Sequence, residues 1–202
     1  MSKILVAYFS AEGNTAGVAA RLAEATGADL FEIKPEQPYT KEDINWKNPL
    51  SRCNREKFGK KDVPVAGTVE GFEDYGLVFL GFPIWYYAAP NIVNTFVKAY
   101  DWSGKRIALF ATSGGSGIEK SPEKLKPFLN GKGDIVGAKR FAVSADAAEL
   151  KEWADEFIMP WKAHASEHKV QGADITVKAT EYMDRFNRMR DMGERDFPEN
   201  QK

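Results

Sequence analysis

A chain of 202 residues is long enough to bury one sizeable core, and 28 Lys and Arg against 29 Asp and Glu leave it nearly uncharged. That balance excludes steering by overall charge toward nucleic acid or an anionic membrane. The single cysteine, Cys53, excludes an intrachain disulfide and suits a reducing compartment.

The chain opens on Lys3 to Phe9, a continuous apolar, β-rich run that predicts a strand covered on both faces in a parallel sheet. The run stops at Ser10, too soon for the apolar core of a secretory signal. Asn14 to about Thr26 follows as a helix, with Val18, Leu22 and Ala25 on its apolar face and Gly27 as its stop. Asp29 to Ile33 reads as a second strand. Residues 34–73 are polar and irregular, long for a connection, and read as an insertion over the surface. Leu77 to Gly81 is a third buried strand and Pro90 to Tyr100 a helix with proline near its first turn. The apolar stretch Leu77 to Ala89 contains Gly81 and Pro83 and falls short of the roughly 20 residues of a membrane span. A cytoplasmic protein without a membrane partner is expected. Arg106 to Thr112 is a fourth strand, Ser121 to Asn130 a helix, Ala138 to Ser144 a fifth strand, and Ala147 to about Phe157 a helix. Strands alternating with helices imply right-handed crossovers and a three-layer, doubly wound, five-stranded parallel sheet of the α/β class.

This pattern predicts one domain over 1–160 and an extension over 161–202. In the extension, Asp174 to Ala179 reads as a strand and Thr180 to Met192 as an amphipathic helix. It either packs on its own domain or forms an arm for a homodimer or another partner. Its arginines, Arg185, Arg188 and Arg190, are interleaved with acids, which argues against nucleic acid.

Three loops follow three predicted strands, on the rim where ligands sit in sheets of this kind. Ser10, Ala11, Glu12, Gly13, Asn14 and Thr15 lead into a helix N-terminus, whose unpaired N–H groups and dipole attract an anion. Gly13 permits the tight backbone, and Ser10, Asn14 and Thr15 carry side-chain donors. An ordinary N-capped turn is the alternative. In the second loop, after Gly81, Pro83 and Ile84 precede three aromatics, Trp85, Tyr86 and Tyr87, where a turn is normally polar. They offer a wall for a planar ring or pack against the 34–73 insertion. Thr112, Ser113, Gly114, Gly115 and Ser116 form the third loop, small residues that let backbone amides approach a ligand.

An anion cradle, an aromatic wall and an amide-lined edge on one rim suit a phosphorylated planar cofactor. On these three loops the chain resembles the flavodoxin-like FMN-binding family, over about Lys3 to Phe157. It is most similar to a subgroup carrying GFPIW and TSGGSG loops and a PYTKEDINW-like insertion, here Pro38 to Trp46. The resemblance implies strand order 2-1-3-4-5 and FMN as cofactor. It also implies phosphate at Ser10 to Thr15, isoalloxazine along Pro83 to Tyr86, and the ribityl chain and pyrimidine edge at Thr112 to Ser116. It implies electron transfer with a redox partner protein or, alternatively, an oxidoreductase using NAD(P)H and a quinone or other acceptor. No catalytic acid or base and no metal is expected.

Two departures bear on chemistry. Glu12 stands where many flavodoxins carry a hydroxyl; its amide is expected to join the cradle while its carboxylate turns to solvent. Trp85 to Ala89 contains no glycine, so a positive φ in the turn beside flavin N5, and with it stabilisation of half-reduced flavin, is expected to be disfavoured. The third loop also lacks an aromatic residue for the outer flavin face, leaving that face open or covered by Trp46, the insertion or a partner.

Other signals are weaker. Gly114 to Ser121 approaches a nucleotide P-loop, but Glu119 replaces the glycine before the lysine. His164 and His168 have the spacing of an inverted zinc-protease motif, and a solvated segment is the expectation there. Cys53 lies near Arg52, Arg55 and Lys57 without a resolving cysteine and is expected to be structural.

Overall fold

Parallel pairing follows directly from sequence runs apolar at every position. The computed structural model describes residues 2–167, with side chains to residue 159. In chain order the elements are β1 (Lys3–Tyr8), α1 (Asn14–Thr26), β2 (Asp29–Glu32), β3 (Lys34–Pro35), α2 (Arg52–Phe58), β4 (Val65–Ala66) and β5 (Tyr75–Pro83). They continue with α3 (Asn91–Lys98), β6 (Arg106–Thr112), α4 (Ser121–Leu125), β7 (Asp134–Arg140) and α5 (Ala147–Glu167). The main sheet is ordered β2-β1-β5-β6-β7, which is 2-1-3-4-5 by rank, as the resemblance implies. All its pairs are parallel.

The central strands are covered on both faces: Leu77, Val78, Phe79, Leu80 and Phe82 of β5 are fully buried. Val18, Ala19 and Leu22 of α1 are buried, as are Ile92, Val93, Phe96 and Val97 of α3. Close packing explains Gly81: a Cβ there would lie 2.1 Å from the Phe110 ring on neighbouring β6. The first compact unit is Met1–Phe157.

Four expectations need correction. The fifth strand lies at Asp134–Arg140, not Ala138 to Ser144. It is a half-buried edge strand whose residues lack a strong apolar pattern, and the Asp134 N–H bond to the Lys105 carbonyl starts its ladder early. The fourth helix ends at Leu125 and continues as a 3₁₀ turn over Lys126–Leu129, where Pro127 interrupts α-helical bonding. Helix α5 does not stop near Phe157 but runs through Pro160 to Glu167, forfeiting the proline's bond without ending. Finally, residues 34–73 are not irregular throughout. β3 and β4 pair antiparallel and close the segment at its neck, and α2 lies within it.

That insertion is tied down by its own polar groups. Arg52 Nε donates to Glu56 Oε1 at 2.6 Å and the Tyr39 hydroxyl to Glu56 Oε2 at 2.6 Å, while the guanidinium lies 4.1 Å from the Tyr39 ring centre. Asn91 of α3 donates to the Glu56 and Lys61 carbonyls, fastening α2 to the domain. Beyond residue 167, the expected strand, amphipathic helix and His168 lie outside the described residues. Among the described residues no cluster of His, Cys, Asp or Glu could hold a metal, and no helix is long and apolar enough to cross a membrane.

Candidate functional site

The three loops predicted from sequence do meet. β1, β5 and β6 are adjacent, with Tyr8 beside Gly81 and Pro83 beside Thr112, so the loops leave neighbouring carboxyl ends at the point where the winding reverses.

In the first loop, Gly13 takes φ 84° as the N-cap of α1, a left-handed conformation that glycine adopts without steric penalty. No side chain caps the helix. The first helical bond runs from Gly17 N–H to the Gly13 carbonyl at 3.0 Å, so the amides of Asn14, Thr15 and Ala16 have no partner in the preceding turn. With the positive end of the helix dipole behind them, these amides are available to an anion, the role expected of them from sequence. Ser10 and Ala11 are half-buried, whereas Glu12, Gly13 and Asn14 are exposed. One donor is not available as expected: Thr15 is fully buried and its hydroxyl lies 2.9 Å from that of Thr112. Thr15 therefore offers its amide, and its side chain ties the first loop to the third.

The second loop is a tight hairpin turn. Trp85 and Ala88 exchange N–H to carbonyl bonds of 2.9 and 3.1 Å, and the two residues between them, Tyr86 and Tyr87, have φ 53° and 59°. Turns of this type normally take Asn-Gly. The expectation that a glycine-free stretch avoids positive φ is thus overturned by contacts outside the turn. The Tyr86 hydroxyl donates to Asn54 Oδ1 and lies 3.6 Å from the Cys53 thiol, the Phe58 ring meets the Tyr86 ring edge-on, and Lys124 Nζ donates to the Tyr86 carbonyl at 3.3 Å. Burial, then the adjacent thiol, pushes the Tyr86 hydroxyl well above the usual tyrosine range. Cys53 itself is buried, in keeping with a structural role.

The aromatics divide between packing against the insertion and exposure at the rim. Trp85 is half-buried and meets Phe9 and Tyr39 edge-on at 5.7 and 5.5 Å. Tyr86 is also half-buried, while Tyr87 is 57% exposed. Pro83 is half-buried at the strand end; Ile84 belongs to the core and its N–H bonds the Thr112 carbonyl at 3.0 Å. Ile84 therefore shapes the rim from beneath. Trp46 does not lie buried over anything: it is 67% exposed.

The third loop differs most from expectation. Ser113 Oγ accepts the N–H groups of Gly115 at 3.1 Å and Ser116 at 2.8 Å, so two amides expected to face a ligand are bound locally. Thr112 is buried, while Gly114 and Gly115 are exposed and a Cβ on either would meet nothing within 4 Å. The edge is open. Sequence reasoning missed the residues that hold the second loop, chiefly Asn54 and Lys124. The Arg52 and Glu56 pair at i and i+4 was the available sign that residues 52–58 form a helix able to present Asn54.

The flavodoxin family model matches residues 3–157. Similar solved structures include a candidate flavoprotein from Bacteroides eggerthii DSM 20697, 39% identical over 78% of this chain and 99% of that one, with a TM-score of 0.72. Another, from Bacteroides uniformis ATCC 8492, is 36% identical over 76% of this chain and 98% of that one, with a TM-score of 0.67. A flavoprotein from Lactobacillus acidophilus NCFM, solved in complex with FMN, shares the fold at 21% identity and a TM-score of 0.57, over 76% of this chain and 99% of that one. None of the curated proteins matches the chain. The family match begins at β1 and ends within α5, spanning all three loops and both flanks of the sheet, and the chain belongs to the flavodoxin family.

Proposed function

We propose that the protein binds FMN non-covalently and transfers electrons through it. The observation that carries this reading is the convergence of an uncapped helix N-terminus, half-buried aromatics and an open glycine edge on adjacent strand ends. The donor set fits the cofactor. Amides of Asn14, Thr15 and Ala16, with the Ser10 and Asn14 side chains, would hold the phosphate. Pro83, Trp85 and Tyr86 would border the ring system, and Thr112 to Ser116 its polar edge. The flavin, when bound, supplies the redox chemistry. The chain contributes position and electrostatics: the helix dipole holds a dianion in place, Trp85 and Tyr86 exclude water from one side, and Ser113 keeps the third loop folded. No side chain of the three loops is assigned as acid or base.

The test compares FMN with riboflavin. Protein purified with a yellow chromophore, releasing FMN on acid treatment and binding FMN at least about tenfold more tightly than riboflavin, is the expected result. Failure of added FMN to bind would defeat the reading, and equal affinity for riboflavin would remove the phosphate from the first loop.

A second reading, an FMN-dependent NAD(P)H:acceptor oxidoreductase, draws support from the third loop. It carries no aromatic, and its exposed glycines leave room for a hydride donor or quinone at the outer ring face. Steady-state NAD(P)H oxidation with a quinone as acceptor distinguishes the two. Turnover favours the enzyme; reduction only through a partner protein favours the carrier.

A further inference from the structure

A cavity of about 400 Å³ lies against the aromatic turn, meeting it at Ala88 and Ala89, and includes none of the residues assigned to the cofactor. Its volume is within the range of small-molecule sites. Four lysines line it, Lys57, Lys60, Lys98 and Lys124, against one carboxylate, Asp62, giving the lining a charge of +3 in a chain of net charge −1. Asp62 is occupied by Lys98 at 2.6 Å. Among the described residues, Lys57, Lys60 and Lys124 have no carboxylate partner.

Such convergence is unfavourable without an anion. Burial, and then the charge of Lys124, lowers the Lys57 pKa, so the two ammoniums already oppose each other. Lys60 is held at φ 48°, a strained backbone for a lysine, and still reaches the cavity wall. The lining includes no guanidinium. Arginine forks match carboxylate and phosphate alike, so their absence selects neither; several ammoniums converging as point charges suit a compact, multiply charged anion such as a phosphate. Phe128 and the alanines at 88 and 89 add an apolar part, as expected for an organic group attached to that dianion.

We propose that this cavity binds the phosphate group of a small organic molecule, with Lys57, Lys60 and Lys124 as its anion ligands. Binding there reaches the redox site through Lys124, whose ammonium also donates to the Tyr86 carbonyl at the strained turn. A phosphate that draws Lys124 away loosens that turn; this coupling, unlike the binding itself, rests on the FMN reading.

The experiment titrates phenyl phosphate and inorganic phosphate into the full chain at low salt by calorimetry, with and without FMN. Saturable phenyl phosphate binding that persists with FMN present, and weakens at least about tenfold in Lys57→Gln/Lys60→Gln, is expected. The same variant should melt no lower than the wild type without ligand and should retain the wild-type FMN titration. No saturable binding of either probe, or binding indifferent to the two lysines, overturns the proposal. Binding abolished by FMN places the phosphate on the first loop and overturns it as well. Failure of FMN itself to bind would instead strike the flavin reading, leaving the lysine-dependent titration to stand or fall alone.

Discussion

Glu12 sits one residue before the N-cap of the helix that would hold a phosphate, and its side chain is exposed. Two unit charges about 4 Å apart repel by roughly 1 kcal/mol in water and about 4 kcal/mol at an effective dielectric near 20. An exposed carboxylate pointing away from the loop feels the weaker limit and is screened by salt. Glu12→Gln is therefore expected to tighten FMN binding by less than about fivefold at low salt, with the gain disappearing at high salt. Fluorescence quenching titrations at two ionic strengths measure this, and a large gain that survives high salt would put the carboxylate against the phosphate. Ser121 presents the opposite case, a side chain buried without a partner for its Oγ among the described residues. An unsatisfied buried hydroxyl costs about 1–3 kcal/mol. Ser121→Ala is accordingly expected to raise unfolding stability by about 1 kcal/mol in urea, and a loss of that size would reveal an unseen acceptor.

The 34–73 insertion and the aromatic turn act as one element, although 32 positions separate Asn54 from Tyr86. Left-handed backbone at two tyrosines is unfavourable by about 1–2 kcal/mol each, and the insertion compensates by fixing the Tyr86 hydroxyl and ring. Tyr86→Phe keeps the ring but leaves Asn54 Oδ1 without its donor. It is expected to lower stability by about 1–3 kcal/mol and to weaken FMN binding, whereas Tyr87→Phe at the exposed neighbour should change neither. Denaturation and FMN titration on both variants check the pair; equal effects would show that the turn is held by its own backbone. Legibility from sequence follows the same physics. β1, α1 and β6 were readable almost to the residue because the two strands are unbroken apolar runs and the helix buries one face at its own period. β7 was misplaced because an edge strand with half-buried residues carries little pattern. α2 carries only one local sign, the Arg52 and Glu56 pair at i and i+4; its other support, the Tyr39 hydroxyl on Glu56, comes from outside the helix and no local period reveals it. The loop positions were readable from strand ends and glycines. The bonds between Thr15 and Thr112, and between Ser113 and its own loop, depend on tertiary proximity and were not.

Across the whole molecule the two ends of the sheet do different work. The carboxyl ends carry the three loops, while the amino ends are closed by polar contacts remote from them. Lys105, only 6% exposed, donates to the carbonyls of Phe72, Glu73 and Tyr75 at 2.9, 3.1 and 2.7 Å, closing the start of β5 and β6. Beside it, the Tyr75 hydroxyl donates to Asp29 Oδ2 at 2.7 Å, joining the first residues of β5 and β2 across β1. Burial and then the Asp29 carboxylate push the Tyr75 pKa up to about 12, above the ordinary value of 10.0. The folded chain therefore keeps this proton where the unfolded chain releases it. The contribution is fully present below about pH 10 and is lost as pH rises toward about 12. Tyr75→Phe retains the packed ring and removes only the hydroxyl, and because Asp29 is exposed and screened by solvent the cost at pH 7 should be about 0.5–1.5 kcal/mol. That deficit should shrink between pH 10 and 12 as the wild-type tyrosine ionises, and FMN affinity at pH 7 should not change. Urea unfolding across the alkaline range, paired with FMN titration, tests both halves. A pH-independent deficit would show that the hydroxyl acts through packing, and a parallel loss of FMN affinity would show that the two ends of the sheet are coupled.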